Sequence, residues 1–389
     1  MKILKKLLPL MLACTLVLCG SFSAYGDQTA PSSEDLEKQI SSTAAYLTKG
    51  VASYTVDDAV NLFYLAGSGA DIANTDSFIA SVKDNLSANG GKIVSSYGEN
   101  ITTYAAVIQV LLELGENPSD FNGYDIVSTF SQQDFTAKLD NPYYYNIVIP
   151  ATFYCEDETL GKKSCDSLVA NYYTAGSGMD YYGFSCDNTA YMISALSNYY
   201  DDYKEIVDDC IAVLDSYKVN GGYCYNTAYG TDPNGDSTAL ALMAYSAYYL
   251  CTIDFEQGSN PTKEKCDSIY ADLMSFKGSE DGVFTYMNDG DNAYATADAL
   301  RGLASYSDAV FVYELINMPE DDGDGDDITD ITIEENTKPT DTTEKKTEAE
   351  AAAVKKSPAT SAPSAAGIAA ASAFFTAALA VALRKRTKK

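Results

Sequence analysis

Six stretches of the chain share one pattern of apolar and polar positions. Each opens on Thr-Ala or Tyr-Ala and carries small and apolar residues six and seven places on. Thr189-Ala190 leads to Ala195-Leu196, Thr238-Ala239 to Ala244-Tyr245, Thr296-Ala297 to Gly302-Leu303, and Tyr104-Ala105 to Val110-Leu111. Fainter copies start near Val56 and Tyr145. The starts lie 48, 41, 44, 49 and 58 residues apart, a period that suits one helical hairpin per repeat. The starting segments are apolar nearly all round: Ser246 is the one non-aromatic polar residue of Ala239–Leu250. Partner helices are predicted between them, at Thr75–Leu86, Tyr124–Phe130, Cys165–Tyr173, Tyr203–Tyr217 and Lys263–Phe276. These are amphipathic, as the four-residue spacing of Phe78, Val82 and Leu86 illustrates. The contrast predicts buried inner helices braced by half-exposed outer ones. Glycine turns such as Asn89-Gly90-Gly91 and Asn220-Gly221-Gly222 follow several partner helices. Asp187 and Asp236, just ahead of two Thr starts, are expected to cap those helices. Val310–Leu315 is the only strand candidate.

The two ends of the chain read differently. Met1–Gly26 has a basic start, an apolar run over Leu7–Leu18 and small residues at Ala24 and Gly26, the order of a secretory signal. The body is expected over residues 32–318. Residues 319–363 form an acidic stalk rich in Thr, Glu and Ala, too polar to offset the entropy of ordering. Residues 365–383 are uncharged and long enough to cross a bilayer, with a basic tail at 384–389 that stays cytoplasmic. The body is therefore expected outside the cell, anchored to the membrane or to the wall. Ser357-Pro358-Ala359-Thr360-Ser361 resembles a sortase signal of the Ser-Pro-x-Thr-Gly type, with Ser361 in place of the Gly.

Composition narrows the chemistry. The chain of 389 residues has 26 Lys and Arg, 55 Asp and Glu, and a net charge of -29. Eight of its basic residues lie in the leader and the tail, leaving 18 against 55 and a net charge of -37. Such a body repels phosphate backbones, so nucleic acid is excluded as a partner. Histidine is absent, which removes Ser–His and Cys–His dyads and imidazole-ligated metals.

The stretch Tyr104–Tyr124, with its Leu-Leu-Glu-Leu-Gly-Glu-Asn-Pro run, and the Gly-Gly-aromatic turns look like the terpenoid cyclase/protein prenyltransferase α/α toroid. More narrowly, they are similar to the surface or secreted toroid proteins of gut Firmicutes. The resemblance implies an all-α fold of six hairpins with inner and outer helix rings over about residues 50–310. It also implies chemistry whose reacting groups this chain lacks. The prenyltransferase zinc set needs a His. The cyclase Asp-x-Asp-Asp acid occurs only at Asp324-Gly325-Asp326-Asp327, in the stalk. The thioester string of complement-like toroids is missing. No cofactor or metal is expected. The leading expectation is a non-catalytic binding or adhesion module for a glycan, a small ligand or a protein. The alternatives are an extracellular enzyme, cleaving glycans through paired carboxylates or acting as a divergent terpenoid cyclase, and a structural spacer.

Tyr104, Tyr143, Tyr144, Tyr145 and Tyr191, near the inner-helix starts, are the candidate lining of a cavity, since tyrosine offers a flat apolar face with a hydroxyl. The competing reading makes them core. Asp298 stands in an otherwise apolar inner segment; a water-exposed rim is expected, and burial would demand partners or a function. Seven cysteines follow the leader. Cys155 with Cys165 parallels Cys251 with Cys266, each pair joining the end of an inner helix to the start of the following outer one, and Cys186 and Cys224 occupy matching turns of adjacent repeats; these are the disulfide candidates, with Cys210 left over. Free buried thiols are the other reading.

Overall fold

A computed structural model describes residues 31–253 and 261–316 of the chain. The leader, stalk, apolar span and basic tail lie outside those residues. Among the described residues no helix is long and apolar enough to cross a membrane.

The described chain is helical, with twelve α-helices and two short hairpins. In chain order the helices are α1 (Ser33–Leu47), α2 (Ala59–Ala66), α3 (Thr75–Ala88), α4 (Ile101–Glu113), α5 (Ile126–Ser131) and α6 (Tyr145–Ala151). They continue as α7 (Leu160–Tyr172), α8 (Cys186–Ser197), α9 (Tyr200–Asp215), α10 (Gly235–Thr252), α11 (Pro261–Met274) and α12 (Ala293–Ile316). Between α7 and α8, β1 (Tyr173–Thr174) pairs antiparallel with β2 (Gly178–Met179). Between α9 and α10, β3 (Lys218–Val219) pairs with β4 (Gly222–Tyr223).

The even-numbered helices are the apolar ones. Each packs on the next, α2 on α4, α4 on α6, α6 on α8, α8 on α10 and α10 on α12, and α12 also touches α2. The odd-numbered helices each bury one stripe and expose the rest. α9 lies on α8 and α11 on α10, each burying one stripe, such as Val207, Cys210 and Leu214 on α9. The five expected partner helices appear as α3, α5, α7, α9 and α11, with α7 starting earlier than expected. The sequence pattern missed a sixth. α1 buries Leu36, Ile40 and Ala44 and packs on α12, so the first helix supplies the outer partner of the last. Ser33 at its start donates to the Glu314 carboxylate of α12 at 2.7 Å.

The repeated Thr or Tyr start has a physical cause. Its hydroxyl receives an amide from the turn that leads into its own helix. Tyr223 N–H donates to Thr238 Oγ1 and Phe284 N–H to Thr296 Oγ1, both at 3.0 Å. Ile93 N–H donates to the Tyr104 hydroxyl at 3.0 Å and Leu139 N–H to that of Tyr145 at 3.3 Å. The threonine hydroxyls in turn donate one helical turn back, Thr238 to Asn234 O and Thr296 to Asn292 O. In these four of the six repeats, turn amides that would otherwise lose water are satisfied. Gly222, at φ +145°, brings its backbone so close to Thr238 that a β-carbon there would sit 2.5 Å from Oγ1.

Three local expectations are corrected. Val310–Leu315 is not a strand but the continuation of α12, with Ala309, Val310 and Val312 buried. Asp187 and Asp236 are not the caps. Ser185 and Asn234 are, their side chains accepting from Asn188 N–H and Ser237 N–H, which leaves both aspartates inside the first helical turn. The expected disulfides are absent: none of the seven described cysteines is in a disulfide. Their thiols face different partners, Cys186 Sγ toward Ser237 O, Cys224 Sγ toward Tyr217 O and Cys251 Sγ toward Tyr248 O, while Cys165 and Cys266 are fully buried.

The α10–α12 interface is the closest of the helix contacts at one glycine. A β-carbon on Gly302 would lie 2.4 Å from Ala239 O, a backbone atom that cannot swing away. Gly302→Ala should therefore destabilise the protein by about 1–3 kcal/mol through overpacking, although the same change in an exposed helix would stabilise it by about 1 kcal/mol. Urea unfolding decides the sign; a raised midpoint would show that α10 and α12 are not packed this way.

Candidate functional site

Residues of α2, α8, α10 and α12, with the turn before α6, come together in one cluster. Asp187 lies in the first turn of α8 and Asp236 in that of α10, and Asp298 comes one turn further along in α12. Tyr143 stands in the short turn before α6, Tyr191 on α8 and Tyr64 on α2. Helices from four hairpins thus contribute to one cluster.

Its centre is an ion pair. Arg301 donates to the Asp298 carboxylate one helical turn away on α12, with side chains 19% and 15% exposed. The guanidinium lies flat over the Tyr64 ring, 4.2 Å from its centroid. Its Nε is buried with no partner. Asp298 is therefore not on a water-exposed rim as its sequence context suggested. Burial raises its carboxyl above the ordinary range, and Arg301 pulls it back down. A buried charge of this kind persists because its partner is charged and adjacent.

Two further carboxyls share the cluster. Burial pushes Asp187 up to about 7; a hydrogen bond from Ser237 Oγ, at 2.6 Å, works against this, and the negative charges of Asp298 and Asp236 work with it. Burial likewise pushes Asp236 up to about 7, aided by Asp298 and opposed by Arg301. One oxygen of Asp236 is buried without a partner. Near neutral pH the two carboxyls titrate as a coupled set and hold protons that isolated aspartates would release.

The aromatic side of the cluster is ordered by stacking. Tyr143 stacks on Tyr191 with centroids 4.2 Å apart and meets Tyr181 edge-on at 5.5 Å; Tyr181 contacts Tyr182 at 4.6 Å. A buried asparagine fixes this row. Asn188 accepts from the Tyr143 hydroxyl at 2.6 Å and donates to Tyr181 O and Gly183 O at 3.0 and 2.7 Å. Asn146 Nδ2 donates to Tyr191 O at 2.9 Å, tying α6 to α8.

The sequence-predicted residues divide in two. Tyr143, Tyr191 and Asp298 come together in the cluster, and half-buried Tyr144 lies close enough to influence Tyr64 and Tyr181. Tyr104 and Tyr145 do not join them. Their hydroxyls are taken up by the turns before α4 and α6: Tyr104 also donates to Glu99 at 3.2 Å, and Tyr145 also bonds Ser167 at 2.9 Å. Sequence reasoning missed Tyr64, Arg301, Asp187, Asp236 and Tyr181. A signal existed for two of them, since Asp187 and Asp236 each stand two residues before a repeat Thr, which puts both carboxyls at the same register of adjacent inner helices. Among the described residues no group of His, Cys, Asp and Glu is arranged to hold a metal ion.

No protein-family model matches the sequence, and no curated protein matches it. Among solved structures, a polysaccharide lyase matches with a TM-score of 0.46 and 13% sequence identity, over 72% of this chain and 98% of that one.

The raised carboxyls carry a pH signature. An unfolded aspartate titrates near 3.9, whereas folded Asp187 and Asp236 titrate at about 7. The folded state binds more protons between those values, so stability falls as pH rises from about 4 to about 7 and the loss is complete above that. Replacing both, Asp187→Asn and Asp236→Asn, should flatten this slope and leave the double variant more stable than the parent at about pH 8. Urea midpoints across that range check it; parallel curves for the two proteins would contradict the placement of these carboxyls.

Proposed function

We propose that the body is an α/α toroid displayed outside the cell membrane on the acidic stalk, and that the end carrying the inner-helix starts binds a glycan. Support for the toroid comes from the unbroken succession of inner helices, the meeting of α12 with α2, and α1 as the sixth outer helix. The display rests on the sequence of the two chain ends.

The single observation behind glycan binding is the pairing of a stacked tyrosine wall with polar atoms that have no partner of their own. Tyr143 and Tyr191 present aromatic area, and Arg301 Nε and one Asp236 oxygen are a buried donor and a buried acceptor left open. A sugar supplies hydroxyls for both atoms and an apolar ring face for the wall. Buried polar groups without partners are costly, and a ligand that satisfies them recovers that cost.

A second reading is glycan cleavage by acid–base chemistry. It is favoured by Asp187 and Asp236 alone, because carboxyls held near 7 exchange protons readily at neutral pH. In this reading one acts as acid and the other as base on a glycosidic bond.

A glycan screen by thermal shift tests the binding reading. A ligand at 100 times its Kd adds about 2.7 kcal/mol to stability. Binding should survive Asp187→Asn and fail in Tyr143→Leu, with the bound glycan recovered intact. New reducing ends released by the parent protein, and lost by about a hundredfold or more in Asp187→Asn, would replace binding with catalysis. The absence of any glycan shift would remove both readings.

A further inference from the structure

The large apolar side chains left in water are not scattered. Seven are exposed among the described residues: Tyr97, Phe153, Tyr182, Tyr225, Tyr229, Met287 and Tyr294. All but Phe153 lie in, or one turn beyond, a loop that leads into an inner helix. Tyr97 precedes α4, Tyr182 precedes α8, Tyr225 and Tyr229 precede α10, and Met287 and Tyr294 flank the start of α12. Of these, all but Tyr97 lie beside the starts of helices that carry the cluster. Single exposed apolar residues are ordinary; a set confined to one rim marks an interaction surface.

The rim is built, not loose. Tyr182 is 94% exposed and has φ +56°, a left-handed conformation that is uncommon for a bulky residue. Gly183 N–H donating to Asp180 and Asn188 donating to the carbonyls of Tyr181 and Gly183 hold it there. Neighbouring rim loops are joined by backbone hydrogen bonds. Cys186 N–H donates to Tyr225 O, and Gly235 N–H donates to Tyr286 O, both at 2.9 Å or less. Tyr225 and Tyr229 stack on one another at 6.4 Å. Tyr182 is also the outer end of the aromatic row that runs through Tyr181 and Tyr143 to Tyr191 in the cluster.

We infer that this rim is a stacking platform for the sugar rings of a neutral polysaccharide chain, so that the site engages a polymer and not only a terminal unit. The inference rests on the glycan reading of the cluster and names its substrate class. The chemistry of the rim carries the choice. Its exposed rings are nearly all tyrosines, which combine a flat apolar face with a hydroxyl and so match the two faces of a sugar. Charge disfavours acidic polymers, since the body over residues 32–318 carries 13 basic against 41 acidic residues and repels uronates and sulfated chains. The unbroken aromatic row places the exposed rim beside the buried cluster.

The test is an oligosaccharide ladder, from mono- to octasaccharides of the neutral gluco, xylo and manno series, titrated by calorimetry against the full-length protein. Polygalacturonate serves as the charged comparison. The triple variant Tyr182→Asn, Tyr229→Ser, Tyr294→Ser removes three rings from adjoining rim loops. Asparagine suits the left-handed backbone at 182, so the fold is not put at risk, and an unchanged urea midpoint verifies that. For at least one neutral series, affinity should climb about tenfold or more between the di- and hexasaccharide. The triple variant should lose that climb while keeping the disaccharide affinity. Equal affinity for short and long members, an undiminished climb in the triple variant, or tighter binding of polygalacturonate would overturn the platform and leave the glycan reading of the cluster standing. No binding by any member would overturn both.

Discussion

A guanidinium set between the ring of Tyr64 and the carboxylate of Asp298 is the contact on which the rest depends. It joins α12, the last inner helix, to α2, the first. Taking an arginine and an aspartate out of water costs several kcal/mol per ion, and removing one member of such a pair costs about 3–5 kcal/mol because the other is left uncompensated. The pair is held where neighbouring helices converge, so the surrounding helices must be in place before it is tolerable. The same pair sets the charge felt by Asp187 and Asp236. Seam and site are one piece of chemistry.

Around that pair, the repeat does structural work that the site then borrows. Four of the six apolar helices carry near their start a hydroxyl that anchors the amide of the incoming turn. Anchored turns place the residues between turn and helix at a fixed height. In two adjacent repeats that places an aspartate, and in the loops just outside it places tyrosines. A cluster at the inner-helix starts therefore follows from the repeat itself, and its asymmetry follows from what each copy carries: an ion pair in α12, carboxyls in α8 and α10, and stacked rings between α6 and α8.

Much of this was legible in the sequence, for identifiable reasons. The Thr-Ala starts and the apolar runs behind them gave the inner helices because nearly every position of α10 is buried. α1 escaped because it is an outer helix without the repeat signature. Leu36, Ile40 and Ala44, spaced by four, were its only mark. Val310–Leu315 looked like a strand because its residues are β-branched or aromatic, but burial along a continuing helix outweighed that local preference. Matching cysteine positions suggested bridges, yet sequence symmetry does not say which way each thiol points. The site was half legible. Tyr143, Tyr191 and Asp298 stood out as unusual residue types in their segments. Arg301 did not, since an arginine in a helix is ordinary until its ring partner, more than two hundred residues away in the chain, is known.

The central claim is that α12 meets α2 through Arg301 and Tyr64, and a double-mutant cycle measures that contact alone. Unfolding free energies of Tyr64→Leu, Arg301→Met and the double variant should give a coupling of about 1 kcal/mol or more, as a desolvated cation–aromatic contact requires. Additive effects, with coupling indistinguishable from zero, would mean that the last inner helix does not rest on the first in this way.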